Sequence, residues 1–165
     1  MNKKMELEEL YYMIMSSWIY SIEKTRDELL GDNIAYTRHL GWNASKFIME
    51  HLETTCGVHL DIENKNHKEI MEMIIKCLED VGFIQEGTVT VKEENGSIAI
   101  SITKCQAEAC KELVKNGVMP NVCLRSIVLA NFLENLTNEQ FSYHLDADPE
   151  GQPEGKCTSY VGDIS

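Results

Sequence analysis

Thr88-Val89-Thr90-Val91-Lys92-Glu93-Glu94-Asn95-Gly96-Ser97-Ile98-Ala99-Ile100-Ser101-Ile102 decides the fold class. β-branched residues recur with a period of two, first through Val89 and Val91 and again through Ile98, Ile100 and Ile102. That period places alternate side chains on opposite faces of an extended strand. Asn95-Gly96 stands between the two runs. Both residues tolerate the positive φ that a two-residue hairpin turn requires, so the stretch predicts an antiparallel hairpin.

Upstream the period changes to that of a helix. Leu7, Leu10, Tyr11, Ile14, Trp18, Ile19 and Ile22 recur at spacings of three and four, which predicts a long helix over 5–30. Tyr12, Met13 and Met15 widen its apolar surface beyond one stripe. Such a surface suits packing on two sides, one of them a second copy of the chain. A second helix is expected from Ile34 to Thr55, with Leu40, Ala44, Phe47, Ile48 and Leu52 on its apolar side and Gly41 weakening its middle. Val58, Leu60 and Ile62 alternate briefly. Asn66 with Glu69 has the spacing of a capping box, and the helix it opens carries Ile70, Met73, Ile74, Cys77, Leu78 and Val81 before Gly82.

Downstream of the hairpin, 107–136 reads as a helix broken near Gly117 and Pro120, with Asn121 as candidate cap of the second piece. Phe141 to Leu145 predicts a third strand and Cys157 to Val161 a fourth, on either side of the acidic loop 146–155. Helices segregated from an antiparallel sheet make an α+β fold. We read one domain over 1–165, with a helical, dimerising part at 5–83 and a hairpin–helix–strand part at 87–162.

The chain has 165 residues, of which 43% are hydrophobic and 25% charged, as in a packed globule. Its 27 acidic and 15 basic residues give a net charge of −12. Phosphate contacts need clustered Lys and Arg, so the balance argues against a nucleic-acid partner. No apolar run is long enough to span a bilayer, and no apolar run follows the lysines of the first ten residues. A cytoplasmic location is therefore expected, where thiols stay reduced.

Six cysteines then require another account. Cys77 falls on the apolar side of its helix and Cys56 at a helix end, which suits packing. Cys105, Cys110, Cys123 and Cys157 gather in the second half of the chain, and thiolates in tetrahedral array bind zinc well. His144, Asp146, Asp148 or Glu150 are candidates to complete such a site. The same thiols admit a redox reading. A thiolate near a helix start, as at Cys123, is favoured by the helix dipole, with Cys157 or Cys110 as resolving partner. Large apolar side chains and eight methionines supply a pocket for a small apolar ligand. Trp42, Phe47, Phe83 and Tyr143 are its candidate lining, with Arg125 as a site for an anionic group. GxGxxG, GxxxxGK[ST], HExxH and GxSxG are all missing, so neither a nucleotide cofactor nor catalysis is expected.

Ile102-Thr103-Lys104-Cys105, then Ala109-Cys110, then Pro120-Asn121-Val122-Cys123, and finally Cys157 with Tyr160-Val161 form a pattern that resembles the 4-vinyl reductase domain family. The chain looks like the stand-alone members found in methanogenic archaea. The resemblance implies a small-molecule or hydrocarbon-binding module, related in fold to haem-NO-binding domains and to subunits of the Golgi transport particle. It also implies a structural zinc site of three Cys and one Glu. Cys123 matches the first ligand and Cys157 the last; Asp146 falls where the Glu stands and Pro149 where the middle Cys stands, leaving Cys110 or Cys105 to replace it. The resemblance thus implies a ligand-binding or sensory domain and a homodimer. A ligand-free scaffold and a cysteine-based redox sensor are the alternatives.

Overall fold

The computed structural model describes residues 7–31, 34–103, 108–118, 123–148 and 156–163. Helix α1 is Leu7–Leu30, α2 is Ile34–Cys56 and α3 is His67–Asp80. Strands β1 (Val89–Glu94) and β2 (Ser97–Ile102) follow, then α4 (Glu108–Lys115), α5 (Leu124–Thr137), β3 (Phe141–Asp148) and β4 (Lys156–Asp163). The result is an α+β fold with one antiparallel sheet of four strands in the order β1-β2-β4-β3.

The hairpin forms as the dipeptide dictates. Asn95 and Gly96 take φ of 53° and 79°, and Val89 pairs with Ile102 through to Glu94 with Ser97. Both turn residues thus lie in the left-handed region, whose twist matches that of the strands. The fourth strand then inserts between β2 and the third, pairing Ile102 with Cys157 on one side and Ala147 with Cys157 on the other. β3 runs to Asp148, three residues beyond the alternation legible in the sequence, because its partner strand offers a free ladder that far.

The register sorts the sheet's two faces. Val89, Ile98, Ile100, Ile102, Phe141 and Val161 point to the side that carries the core, where they join Leu129, Ala130, Phe132 and Leu133 of α5 and Ile70, Met71, Ile74, Ile75 and Leu78 of α3. α5 is buried on almost every side, from Ser126 to Glu134, as a helix enclosed by other elements must be. Its start differs from the expected cap: Cys123 is the N-cap, and it makes no side-chain capping bond. Asn121 lies outside the described residues. α3 opens with the expected capping box. The Asn66 side chain accepts from the Glu69 amide at 2.9 Å, and Glu69 accepts from the Asn66 amide at 2.9 Å.

α2 follows its expected face in part: Leu52 is buried in the core and Ile48 packs against it. Phe47 is 72% exposed, whereas Thr37, Gly41 and Ser45 are buried. These three small residues recur every fourth position and form one stripe. Against the stripe lie Ile127 and Asn131 of α5, the former within 3.2 Å of where a Cβ on Gly41 would stand. Polar bonds then tie the two helices: Arg38 donates to buried Glu134, and Asn135 donates to the Ser45 hydroxyl at 2.8 Å.

The chain forms two compact units. One holds residues 1–33 and 106–120, in which α1 packs with α4; the other holds 34–105 and 121–165. The first unit thus combines segments from both sides of the boundary read near 83–87. Within α1, Glu23 and Arg26 are buried and paired at 3.2 Å, and Arg26 also donates to the Gly31 carbonyl at 2.7 Å. Burial nonetheless raises the Glu23 carboxyl above its ordinary range, with Arg26 working against it.

Candidate functional site

α3 carries two apolar stripes. The first, Ile70, Ile74 and Leu78, is buried in the core. The second, Met73, Cys77 and Val81, recurs every fourth residue and faces away from the first by about one position. Where α2 ends, Gly57 takes φ +67° and the Val58 amide donates to the Leu52 carbonyl at 3.1 Å. The chain is thereby turned back along α3. Val58, Leu60 and Ile62 pack part-buried against the core without forming a strand, and a turn closes the run with the Lys65 amide donating to the Ile62 carbonyl.

Between this run and the second stripe lies an open groove of about 570 Å³. Val58, Leu60, Met73, Cys77 and Val81 make it apolar. Lys65, Glu69, Glu72, Lys76 and Asp80 surround them. The volume falls within the range of sites that hold a small organic molecule, roughly 300–1,000 Å³. The charges of the rim are engaged except at one end. Glu69 holds the Asn66 amide, Lys68 pairs with Glu72 at 2.9 Å, and Lys76 pairs with Asp80 at 2.7 Å. Among the described residues Lys65 has no ion-pair partner. The groove therefore offers an apolar bed with one free ammonium. Burial pushes the Cys77 thiol up, with Asp80 and Cys56 adding to the effect, so the floor carries a neutral thiol.

The candidate pocket residues read from the sequence are not gathered here or elsewhere. Trp42 and Phe47 are exposed on α2, Phe83 is 58% exposed beyond α3, and Arg125 is exposed on α5. Tyr143 alone turns inward, where its hydroxyl accepts from the Cys123 amide at 3.1 Å and meets the Ser159 hydroxyl at 3.0 Å. It ties the start of α5 to the sheet. The reason for the scatter is the polar stripe of α2: once Thr37, Gly41 and Ser45 face α5, Phe47 must face outward.

Burial raises the Tyr143 phenol far above its ordinary value of 10.0, with the nearby Cys123 thiol adding to burial and the hydroxyl and backbone bonds opposing it. Below pH 10 both folded and unfolded tyrosine keep the proton, and the group leaves stability unchanged. Above pH 10 the unfolded chain releases it first, so stability falls as pH rises. The expected slope is about 1.4 kcal/mol per pH unit for this one group. Urea unfolding at stepwise alkaline pH measures it, and Tyr143→Phe should flatten that slope while lowering stability near neutrality by about 1 kcal/mol for the lost hydrogen bonds.

The metal ligands implied by the resemblance are placed as follows. Cys123 and Cys157 are both half-buried and both on the core side of the sheet, Cys157 two residues before the Ser159 that Tyr143 meets. Asp146 pairs with Thr158, one step out of phase with Cys157, and so belongs to the opposite face. Cys110 belongs to α4 in the other unit, and Cys105 lies outside the described residues. Among the described residues no three His, Cys, Asp or Glu side chains are grouped to hold a metal ion. A structural zinc requires four ligands, and of the implied set only Cys123 and Cys157 stand on the core side of the sheet among the described residues.

No family model and no curated protein matches the chain. Among solved structures, it is similar to one reported under "Probing the function of heme distortion in the H-NOX family". The two are 10% identical with a TM-score of 0.48, over 99% of this chain and 74% of that one. No helix among the described residues is long and apolar enough to cross a membrane.

Proposed function

We propose that the chain is a ligand-binding domain that takes a small, mainly apolar molecule with an acidic head into the groove beside α3. The carrying observation is the groove's composition: an apolar bed of Val58, Leu60, Met73, Cys77 and Val81 whose rim carboxylates are all engaged and whose Lys65 is not. Apolar contact supplies the affinity, at roughly 25 cal/mol per Å² removed from water. Lys65 selects the charge of the head, and contributes little more, because an exposed ion pair is worth about 0–1 kcal/mol. The reading agrees in kind with the small-molecule-binding role that the 4-vinyl reductase resemblance implies.

Titration with anilinonaphthalene sulfonate, an apolar anion that fluoresces out of water, tests it. Met73→Glu should weaken uptake tenfold or more. Lys65→Ala should weaken the anion a few-fold and leave the neutral anilinonaphthalene parent unchanged. Equal affinity in Met73→Glu and the parent protein would place the bound probe somewhere else.

A second reading concerns self-association. Tyr11, Met15 and Trp18 lie on one side of α1 and are 62%, 60% and 63% exposed, with Ile14 beside them. We propose that a second copy of the chain covers this side through its own α1. Light scattering at micromolar concentration should give a dimer for the parent chain and a monomer for Trp18→Glu. A monomeric parent contradicts the reading.

A further inference from the structure

We propose that Cys56 and Cys77 are a thiol pair at the mouth of the groove, joined by oxidation into a disulfide that closes the groove to its ligand. The closing effect rests on the groove reading above; the pair itself does not. Cys77 is half-buried on the groove floor, one helical turn from Met73. Cys56 is the exposed last residue of α2 and stands two residues before Val58, which lines the same groove. The bond from the Val58 amide to the Leu52 carbonyl closes the end of α2 with a turn that leads from Cys56 to Val58 on the groove. The influence of Cys56 on the Cys77 thiol agrees with this placement.

The two cysteines have complementary environments. Exposed Cys56 meets an oxidant first, while half-buried Cys77 keeps its proton and waits as the resolving thiol. With a peroxide as oxidant, the Cys56 sulfur attacks one peroxide oxygen. The O–O bond breaks, one water leaves, and a sulfenic acid remains. The Cys77 sulfur then attacks that sulfur, the S–O bond breaks, the second water leaves with the Cys77 proton, and the S–S bond forms. Two electrons pass from the thiol pair to the peroxide. A disulfide needs Cα atoms roughly 4.4–6.8 Å apart. The adjustment falls on the last turn of α2, where helices fray and where Gly57 at φ +67° already ends the helix. The new bond ties that turn to the last turn of α3, beside the space the ligand would enter.

The reduced full chain, treated with a slight excess of hydrogen peroxide and digested without reductant, should yield a peptide joining Cys56 to Cys77, lighter by two hydrogens than its halves. Affinity for anilinonaphthalene sulfonate should fall tenfold or more and return with dithiothreitol. Cys56→Ser should keep the reduced affinity and lose both responses. Cys77 joined to another cysteine, Cys56 recovered only as its oxyacids, or a Cys56–Cys77 link with unchanged affinity would overturn the proposal. Failure of the reduced protein to take up the probe would instead defeat the groove reading, with the peptide map still deciding whether the pair exists.

Discussion

Replacing Glu134 by alanine should lower the stability of the fold by about 3 kcal/mol. Glu134 is 4% exposed and serves two elements at once. Its Oε1 accepts from the Arg38 guanidinium on α2 and from the Phe141 amide, at 2.9 Å, at the start of β3. Alanine orphans the buried Phe141 amide, which alone costs roughly 1–3 kcal/mol. The Arg38 side chain is 30% exposed, so it reaches water and the ionic part of the loss is smaller than for a fully buried pair. The vacated volume adds a cavity cost. Glu134→Gln keeps an acceptor for the Phe141 amide and should cost about half as much. Urea unfolding of both variants measures the difference from the midpoint at constant slope. A loss under about 0.5 kcal/mol in Glu134→Ala would mean that this carboxylate does not link α2, α5 and β3.

Gly41→Leu should cost about 3 kcal/mol, by the opposite mechanism. A Cβ on Gly41 would stand 2.7 Å from Asn131 Nδ2 and 3.2 and 3.3 Å from the Ile127 side chain. Asn131 cannot simply swing away, because its side chain is buried and bonded to the Ile127 carbonyl at 2.7 Å. The helices must separate, and overpacking of this kind costs roughly 1–3 kcal/mol. Alanine is the informative intermediate. Its Cβ meets the same 2.7 Å contact with Asn131 but adds no further bulk, and it gains about 1 kcal/mol in helix propensity, so Gly41→Ala should fall between the parent protein and Gly41→Leu. If leucine were tolerated as well as alanine, the close approach of α2 to α5 would not exist in solution.

The contrast between α2 and the hairpin shows what the sequence carries locally. Asn95-Gly96 fixes its own φ values, and Asn66 with Glu69 satisfies its own helix end, so both features are complete within a few residues and were legible. The face of α2 was legible only at its C-terminal end. Of Leu40, Ala44, Phe47, Ile48 and Leu52, Leu52 and Ile48 reach the core and Phe47 is exposed, while the first half is buried through Thr37, Gly41 and Ser45, because what fits against α5 there is small size and hydrogen bonding rather than hydrophobicity. The regular spacing of those three residues was the available signal. The groove was half legible: Val58, Leu60 and Ile62 alternate and Met73, Cys77 and Val81 recur at helical spacing, but only the turn at Gly57 brings the two sets side by side. The acidic residue expected beside Cys157 fell to the opposite face of the sheet, since a shift of one residue in register exchanges the faces.

The groove beside α3 is the proposed site for a small apolar molecule. Labelling the methionine methyl groups with carbon-13 tests it in one titration, because the methionines report from three distinct places. Met73 lines the groove, Met71 is fully buried in the core, and Met13 and Met15 are exposed on α1. On addition of anilinonaphthalene sulfonate the Met73 methyl signal should shift saturably, with those of Met71, Met13 and Met15 unmoved. A saturable shift at Met13 and Met15 with Met73 unchanged would contradict it and assign the apolar ligand to the face of α1.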